Sequence, residues 1–284
     1  MTDEENTTRR QQLIQKRLAY PVTQPGYDGS AKAMQGDFQK NASFLKSLGY
    51  NGIELLIQDP DTLDINAIDR ALLETRLRIA AIGTSPMQLA EHLFLLHEDA
   101  AKRMEAIRRL HALLRLCARY RAPLLIGKYR GMTADAKGQR MEDLAEIIAK
   151  ACNEAKQNGT SILIEPQNKD SINNLNTIAE TLSFIQGLSC DNLGILADTY
   201  HIAISESSPT ESIRKAGNKI GFVHLSDSKR LIPGKGKLPL DAMLYAFQDA
   251  GYNGFYSFET MQSPNSYTAA AQAASFLQND SQAD

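Results

Sequence analysis

Short apolar runs alternate along this chain with longer segments in which apolar residues recur at helical spacing. The last four apolar runs are 161–165, 194–198, 221–224 and 254–259, and each ends at Glu, Asp or His. An apolar run of about four to eight residues between turn-forming residues is typical of a strand buried on both faces. The pattern therefore predicts four successive buried strands with polar ends.

The rest of the chain continues this alternation. Four earlier apolar runs predict strands at 17–22, 52–57, 77–82 and 123–127. Helical periodicity, with Gly, Asn and Asp at the ends, predicts helices near 37–48, 64–72, 99–120, 140–158, 176–186, 208–217, 240–250 and 267–277. Asp64 is the expected cap of the second helix, and 83–97 is expected to be a loop.

Eight alternations of strand and helix predict an α/β protein with right-handed crossovers and a closed parallel sheet. We therefore expect a (β/α)8 TIM barrel, a fold that occupies about 250 residues. Residues 1–15 are predicted to be a polar N-terminal arm, and 16–284 a single barrel domain.

Composition excludes some classes of protein. The chain has 43% hydrophobic residues and a net charge of −2. This composition indicates neither intrinsic disorder nor the overall basic charge of a nucleic-acid-binding protein. Three widely spaced cysteines indicate a reducing compartment, and no apolar run is long enough to span a membrane. The N-terminus lacks the features of a secretory signal, so we expect a cytoplasmic protein with no membrane or nucleic-acid partner.

The polar strand ends indicate a metal site. In a parallel barrel the carboxyl ends of the strands converge on one mouth, so Glu165, Asp198, His224 and Glu259 are expected to lie together. Singly, each has a structural explanation, such as a Glu paired with a Lys. Three acids clustered without a cation would repel each other strongly. This mostly hard ligand set favours Mn²⁺, with Mg²⁺, Co²⁺ or Zn²⁺ as alternatives.

These residues also resemble those of the xylose isomerase-like sugar isomerase/epimerase family, especially the ketose 3-epimerases and the 5-keto-gluconate type of keto-sugar-acid epimerase. The matching segments are 49–54, 81–84, 164–168, 195–201, 224–230 and 258–259. The most specific parts are Asp-Thr-Tyr-His, which ends at His201, and His-x5-Arg, which ends at Arg230. The resemblance thus covers nearly the whole chain.

The resemblance implies roles for single residues. Glu165, Asp198, His224 and Glu259 are implied to bind the metal, and Glu165 and Glu259 to act also as acid and base. His201 and Arg230 are implied to hold substrate oxygens. The family commonly has a second Glu six residues after the strand-five Glu, and this chain has Ser171 there. Recognition of sugar hydroxyls is therefore expected to differ.

The predicted reaction is epimerisation of a keto-sugar or keto-sugar acid. A metal-bound sugar would lose a proton next to its carbonyl to one Glu, and a cis-enediolate would regain a proton on the opposite face from the other. Return of the proton to the neighbouring carbon would instead give aldose-ketose isomerisation, which the sequence leaves open. The resemblance favours epimerisation.

Further substrate contacts are predicted around the mouth. Asn168 and Lys128 are expected to bind substrate. His201 either binds substrate or orients a metal ligand. Glu54 either binds a substrate hydroxyl or has only a structural role at the barrel mouth. A basic rim is predicted from the positions after three strands, namely Lys128, Arg130, Lys169, Lys229 and Arg230. Such a rim would suit an anionic sugar, preferably a sugar acid.

Two alternatives come from other functional classes. An endonuclease IV-like DNA-repair hydrolase shares the barrel but needs a richer set of His and acidic ligands for several zinc ions. Only five His occur in this chain, and two of them, His201 and His224, are already assigned to the single-metal site. A non-catalytic sugar-binding protein is the other, although the Glu165 and Glu259 pair argues against it. The expected assembly is a homo-oligomer, either a dimer or a tetramer.

Overall fold

The protein is a closed barrel of eight parallel strands, seen in a computed structural model that describes residues 17–133 and 140–276. The strands are β1 (Leu18–Thr23), β2 (Gly52–Leu56), β3 (Arg78–Gly83), β4 (Leu124–Ile126), β5 (Ile162–Ile164), β6 (Leu193–Asp198), β7 (Ile220–His224) and β8 (Tyr256–Ser257). Each strand pairs with the next, and β8 pairs with β1. The predicted (β/α)8 barrel is confirmed, while the arm at 1–15 lies outside the described residues.

The helices pack around this barrel. They are α1 (Phe38–Ser47), α2 (Ile65–Thr75), α3 (Ser85–Glu91), α4 (Ala100–Tyr120), α5 (Met141–Gln157), α6 (Ile178–Leu188), α7 (Thr199–Ser205), α8 (Pro209–Ala216), α9 (Leu240–Asp249) and α10 (Ser266–Ser275). Aspartates start several of them, because a carboxylate accepts the otherwise unpaired amide hydrogens of a first turn. Asp64 accepts from Ala67 N at 2.9 Å, as its position predicted.

Two short helices differ from the expected pattern. The predicted loop 83–97 was wrong over α3, which begins with Ser85 and Pro86 and ends at a left-handed His92. Proline is favoured in a first helical turn, but a seven-residue helix has too few turns to show periodicity. The second, α7, starts directly after Asp198 and was not predicted either.

Strand register sets the level of the site. Asp198 pairs with His224, and His224 pairs with Ser257, so the ends of β6, β7 and β8 lie side by side. Glu165 and Glu259 follow the ends of β5 and β8. All four predicted ligands therefore project from neighbouring positions at one mouth.

The barrel interior supplies the floor below that mouth. A small cluster fills it, consisting of Ala19, Ala80, Ala81, Leu125, Leu163, Leu196 and Phe222. The larger core lies between the strands and the surrounding helices. In the part of the chain that the structure describes, no helix is both long and apolar enough to cross a membrane.

Candidate metal centre and active site

Four side chains meet at the barrel mouth. One potential ligand atom from each of Glu165, Asp198, His224 and Glu259 lies within 4.8 Å of the others. His224 Nδ1 is 3.6 Å from Glu165 Oε1, 3.5 Å from Asp198 Oδ2 and 3.6 Å from Glu259 Oε2. The structure thus brings together all four predicted ligands, with one nitrogen facing three carboxylate oxygens.

This arrangement fits a divalent cation. His224 is buried, and its Nδ1 has no hydrogen-bond partner although buried polar atoms are nearly always paired. Two of the three carboxylates around it, Asp198 and Glu259, share the single positive charge of Arg230, so a divalent cation would balance the remaining negative charge. Three carboxylate oxygens and one imidazole nitrogen are donors that Mn²⁺ and similar ions accept. The donor set therefore suits such an ion, and the role of each residue stays a prediction.

Asp198 is oriented by the helix that follows it. Its Oδ1 accepts from the backbone amides of Tyr200 and His201, at 2.9 and 3.0 Å, as the cap of α7. Its Oδ2 is left to face the site. Burial alone would raise the pKa of Asp198, but the Arg230 guanidinium and the nearby imidazoles hold that pKa well below its ordinary value. Asp198 is therefore an ionised ligand candidate with a fixed direction.

Arg230 lies inside the site and not on its rim. Its Nη1 contacts Asp198 Oδ2 at 2.5 Å and Glu259 Oε2 at 2.8 Å. The guanidinium carbon stacks over the Tyr200 ring, 4.6 Å from its centroid. Since this charge is already matched by two carboxylates, Arg230 is a poor candidate for attracting an anionic substituent of a substrate.

Glu54 holds the other face of His224. Both oxygens of this buried carboxylate lie 3.1 Å from His224 Nε2, and Ser257 Oγ donates to Glu54 Oε2 at 2.6 Å. A carboxylate behind a metal-binding imidazole fixes its orientation and strengthens its basicity. Glu54 also borders the cavity, but its contacts favour orienting His224 over binding a hydroxyl.

The Glu54→Gln substitution tests this orienting role. The amide removes one carboxylate oxygen and its charge, so Mn²⁺ affinity is expected to fall by about 10- to 100-fold, the usual cost of losing such a partner. Calorimetric titration measures the change, with the melting temperature as a check on folding. Ser257→Ala is the matched control, since Glu54 then keeps both contacts to His224. Unchanged affinity in Glu54→Gln would contradict the role.

His201 is held by Asn168. Its Nδ1 accepts from the Asn168 backbone amide at 3.3 Å and lies 2.9 Å from Asn168 Nδ2. Because a backbone amide only donates, His201 Nε2 carries the ring hydrogen in the neutral form. Burial lowers the pKa of His201 despite the charges of Asp198 and Glu165, which favours the neutral ring. His201 borders the cavity and Asn168 does not, so the structure favours an orienting role for Asn168.

Gln167 is a site residue that the sequence interpretation missed. Its Nε2 donates to Glu165 Oε2 at 2.5 Å. Glu165 Oε1 thereby remains the oxygen that faces His224. Gly127 leaves room for this pair, because a Cβ there would lie 2.6 Å from Glu165 Oε2. The available signal was the position of Gln167, two residues after the strand-end Glu.

The predicted basic rim is corrected by the structure. Arg130 is fully buried and donates to Asn174 and to the Gly127 carbonyl, so it is structural. Lys169 and Lys229 are exposed and do not border the cavity. Lys128 does border it. So does Lys32, which the interpretation missed and whose Nζ lies 4.0 Å from Glu259 Oε1.

The site opens into a cavity of about 300 Å³, close to the lower end of the range for small-molecule sites. Leu56, Leu89, Leu125 and Leu196 form its apolar walls. Ser171 borders it at the position where a Glu was expected. A space of this size with polar groups at one end suits a small polar molecule.

The sequence of this chain is similar to one protein family and to a known sugar epimerase. The sequence profile of the family described as "Xylose isomerase-like TIM barrel" matches residues 42–279. An L-ribulose 3-epimerase of Mesorhizobium japonicum is 27% identical over 239 residues, which cover 82% of this chain and 79% of that protein. Both matches extend over most of the chain, and the range matched by the family profile includes Glu165, Asp198, His224 and Glu259.

Solved structures show the same fold. A 3-keto-D-glucoside 4-epimerase from E. coli in its apo form superposes with a TM-score of 0.75 at 17% identity, covering 92% of this chain and 99% of that one. A D-allulose 3-epimerase from Methylomonas sp. in complex with D-allulose gives 0.74 at 23% identity, covering 92% and 96%. At these identities the likeness shows a shared barrel.

Proposed function

Since the chain belongs to the xylose isomerase-like TIM barrel family and is an enzyme of the sugar epimerase/isomerase class, we propose that it is a divalent-metal-dependent epimerase of a keto-sugar or keto-sugar acid. One observation carries the proposal. Glu165 and Glu259 reach the same imidazole nitrogen from strands β5 and β8, each at 3.6 Å. Two carboxylates on different sides of one site suit removal and return of a proton.

The side chains suit this reaction in distinct ways. A bound divalent ion would supply positive charge next to the oxygens of a sugar that is losing a proton. Glu165 and Glu259 would be the base and the acid on the two faces of the reacting carbon. His201 would donate its Nε2 hydrogen to a substrate oxygen, and Arg230 would fix Glu259 and bind a further oxygen.

Epimerisation is favoured over aldose-ketose isomerisation by the relatives. The proteins compared above are named as 3- and 4-epimerases of keto-sugars. In an epimerase the carbon that loses a proton to one carboxylate gains a different proton from the other carboxylate on the opposite face. Isomerisation stays the alternative, because the same proton acceptor could serve the neighbouring carbon.

A negatively charged substituent on the substrate is also proposed. Lys32 and Lys128 border the cavity on the sides of β1 and β4. Within the described residues Lys128 has no ion-pair partner, whereas Arg230 has two. A cation left unmatched beside a small cavity favours a ligand that brings its own negative charge. A keto-sugar acid fits this condition better than a neutral ketose.

The Lys128→Met substitution tests the anionic substituent. The KM for a keto-sugar acid should rise by about tenfold or more, as expected for losing a charge-assisted hydrogen bond, and the KM for a neutral ketose should change little. Lys169→Met is the matched control, since Lys169 is exposed and lies outside the cavity lining. Equal changes for both substrates in Lys128→Met would contradict this part of the proposal.

The reaction itself is tested by proton exchange. The Mn²⁺-loaded protein is incubated in D₂O with a panel of keto-sugars and keto-sugar acids, and NMR follows both deuterium at the carbon next to the carbonyl and the appearance of the epimer. We expect deuterium incorporation together with epimer formation for at least one substrate. Formation of an aldose without an epimer would establish the isomerase instead.

The remaining features of the proposal concern metal and assembly. We propose Mn²⁺ as the native ion, a homo-dimer or tetramer as the assembly, and a cytoplasmic enzyme without nucleic-acid partners. The hard donor set supports Mn²⁺. Metal analysis of protein purified without added ions and light scattering in solution measure the first two.

A further inference from the structure

Asp227 has a buried carboxylate that does not border the cavity, and the proposed reaction gives this carboxylate no role. Asp227 lies between His224 and Arg230 in the chain and is 2% exposed. Its two oxygens accept four backbone amide hydrogens, from Ser228, Gly234, Gly236 and Leu238, at 2.7 to 3.0 Å. One carboxylate thereby organises the whole segment 228–238.

The same segment contains an unusual turn. Lys229 and Arg230 adopt φ angles of +58° and +60°, a left-handed conformation that side chains other than Gly rarely take. Two such residues in succession persist only where surrounding contacts hold them. Asp227 supplies contacts on both sides, because its carbonyl accepts from Arg230 N at 3.0 Å and its amide donates to the Leu231 carbonyl at 2.8 Å.

This turn determines where the guanidinium of Arg230 lies. After the left-handed turn the Arg230 side chain runs back into the barrel mouth, to Asp198 and Glu259. Met261 N donates to the Arg230 carbonyl at 2.8 Å, which ties the turn to the loop after β8. An extended backbone at Arg230 would project the side chain in another direction.

We propose that Asp227 is a positioning residue, whose four amide contacts hold the 228–238 segment so that Arg230 reaches the reacting site. The kinetic part of this inference rests on the proposed function, and the structural part does not. Gly236 supports the assignment independently, since a Cβ there would lie 2.2 Å from Asp227 Oδ1 and 2.5 Å from Ser228 Oγ. The segment is therefore fitted closely around the carboxylate.

The first experiment uses Asp227→Asn and Gly236→Ala without substrate. The amide of Asn replaces one accepting oxygen with a donor, and the added Cβ of Ala displaces the carboxylate. Amide hydrogen exchange across 228–238 is expected to accelerate by about tenfold or more in both variants, with most of the barrel unchanged. The Arg230 guanidinium signal in ¹⁵N NMR, identified by its loss in Arg230→Lys, should shift and broaden. Unchanged exchange and an unchanged Arg230 signal would overturn the proposal.

The second experiment is a double-mutant cycle on the Mn²⁺-loaded enzyme. Asp227→Asn alone should lower kcat/KM by about tenfold or more, yet have little further effect when Arg230 is already Lys, because both changes remove the same contact. Full additivity would show that Asp227 serves the fold and not Arg230. Asp64→Ala is the matched control, which removes a carboxylate-to-amide contact outside the cavity and should leave kcat/KM unchanged.

The two experiments distinguish failure of the proposed epimerase function from failure of the role proposed for Asp227. If the wild-type enzyme shows no epimerase activity, exchange and NMR still decide whether Asp227 holds Arg230. If activity is present but the variants retain wild-type exchange across 228–238, the inference about Asp227 fails and the proposed function stands. The positioning role is also overturned if Asp227→Asn lowers the melting temperature and its effect on kcat/KM adds fully to that of Arg230→Lys.

Discussion

Glu165→Gln and Glu259→Gln are each expected to lower turnover by at least about a hundredfold, the usual scale of general acid-base catalysis. Each amide keeps an oxygen that can face the metal but cannot accept the proton. Gln has nearly the same size as Glu and keeps one accepting oxygen, so each substitution changes the charge of the side chain more than its shape. Steady-state kinetics measures the loss, and the melting temperature shows that the fold is kept.

The two variants are expected to differ in the proton that they exchange. With a pair of epimers in D₂O, the variant that keeps the correct base for one epimer should still exchange that epimer's hydrogen, although it cannot complete the inversion. The other variant should exchange the opposite epimer. Glu154→Gln is the control, since Glu154 pairs with His111 outside the cavity lining. Equal exchange of both epimers by both variants would replace the two-base mechanism with a single-base one.

Removal of the divalent ion is expected to abolish activity, and Mn²⁺, Co²⁺ or Mg²⁺ should restore it. His224→Ala should lower Mn²⁺ affinity by at least about a hundredfold, because it removes the nitrogen of the donor set. Calorimetry measures this directly. Full turnover in verified metal-free protein would remove the metal from the proposal.

The same prediction has a readout that needs no substrate. An ion that binds only the folded chain stabilises it by about 2.7 kcal/mol when its concentration is a hundred times Kd. Mn²⁺ should therefore raise the melting temperature of the wild-type protein and of His111→Ala, whose ring pairs with Glu154 away from the site. The increase should be much smaller in His224→Ala, because the ion is then present at about its Kd or below. An equal increase in His224→Ala would place the metal elsewhere.

Much of the architecture was predictable from local pattern. Buried parallel strands appear in the sequence as short apolar runs, and surface helices as segments with apolar residues at helical spacing. Eight strand-helix pairs could therefore be predicted from the sequence alone. Parallel strands also end at one mouth, and this brought Glu165, Asp198, His224 and Glu259 together in the prediction. The short helix α3 was missed because seven residues carry too little periodicity.

The direction of each polar side chain required the tertiary structure. The positions of Lys128 and Arg130 after β4 suggested a shared rim, yet Lys128 is exposed beside the cavity and Arg130 is buried against Asn174. A difference of two residues at the end of a strand changes which way a side chain projects. Sequence spacing alone does not specify that direction once the chain leaves the strand.

The alternation of apolar runs and the residue types at strand ends, both local properties, were enough to predict the barrel and the four side chains that meet at its mouth. Barrel closure decided the rest, because it brings residues far apart in the chain into contact. Glu54 reaches His224 across 170 positions, and Ser257 reaches Glu54 across 203. Arg230 enters the site through a left-handed turn that Asp227 holds, and no periodic pattern records such a turn.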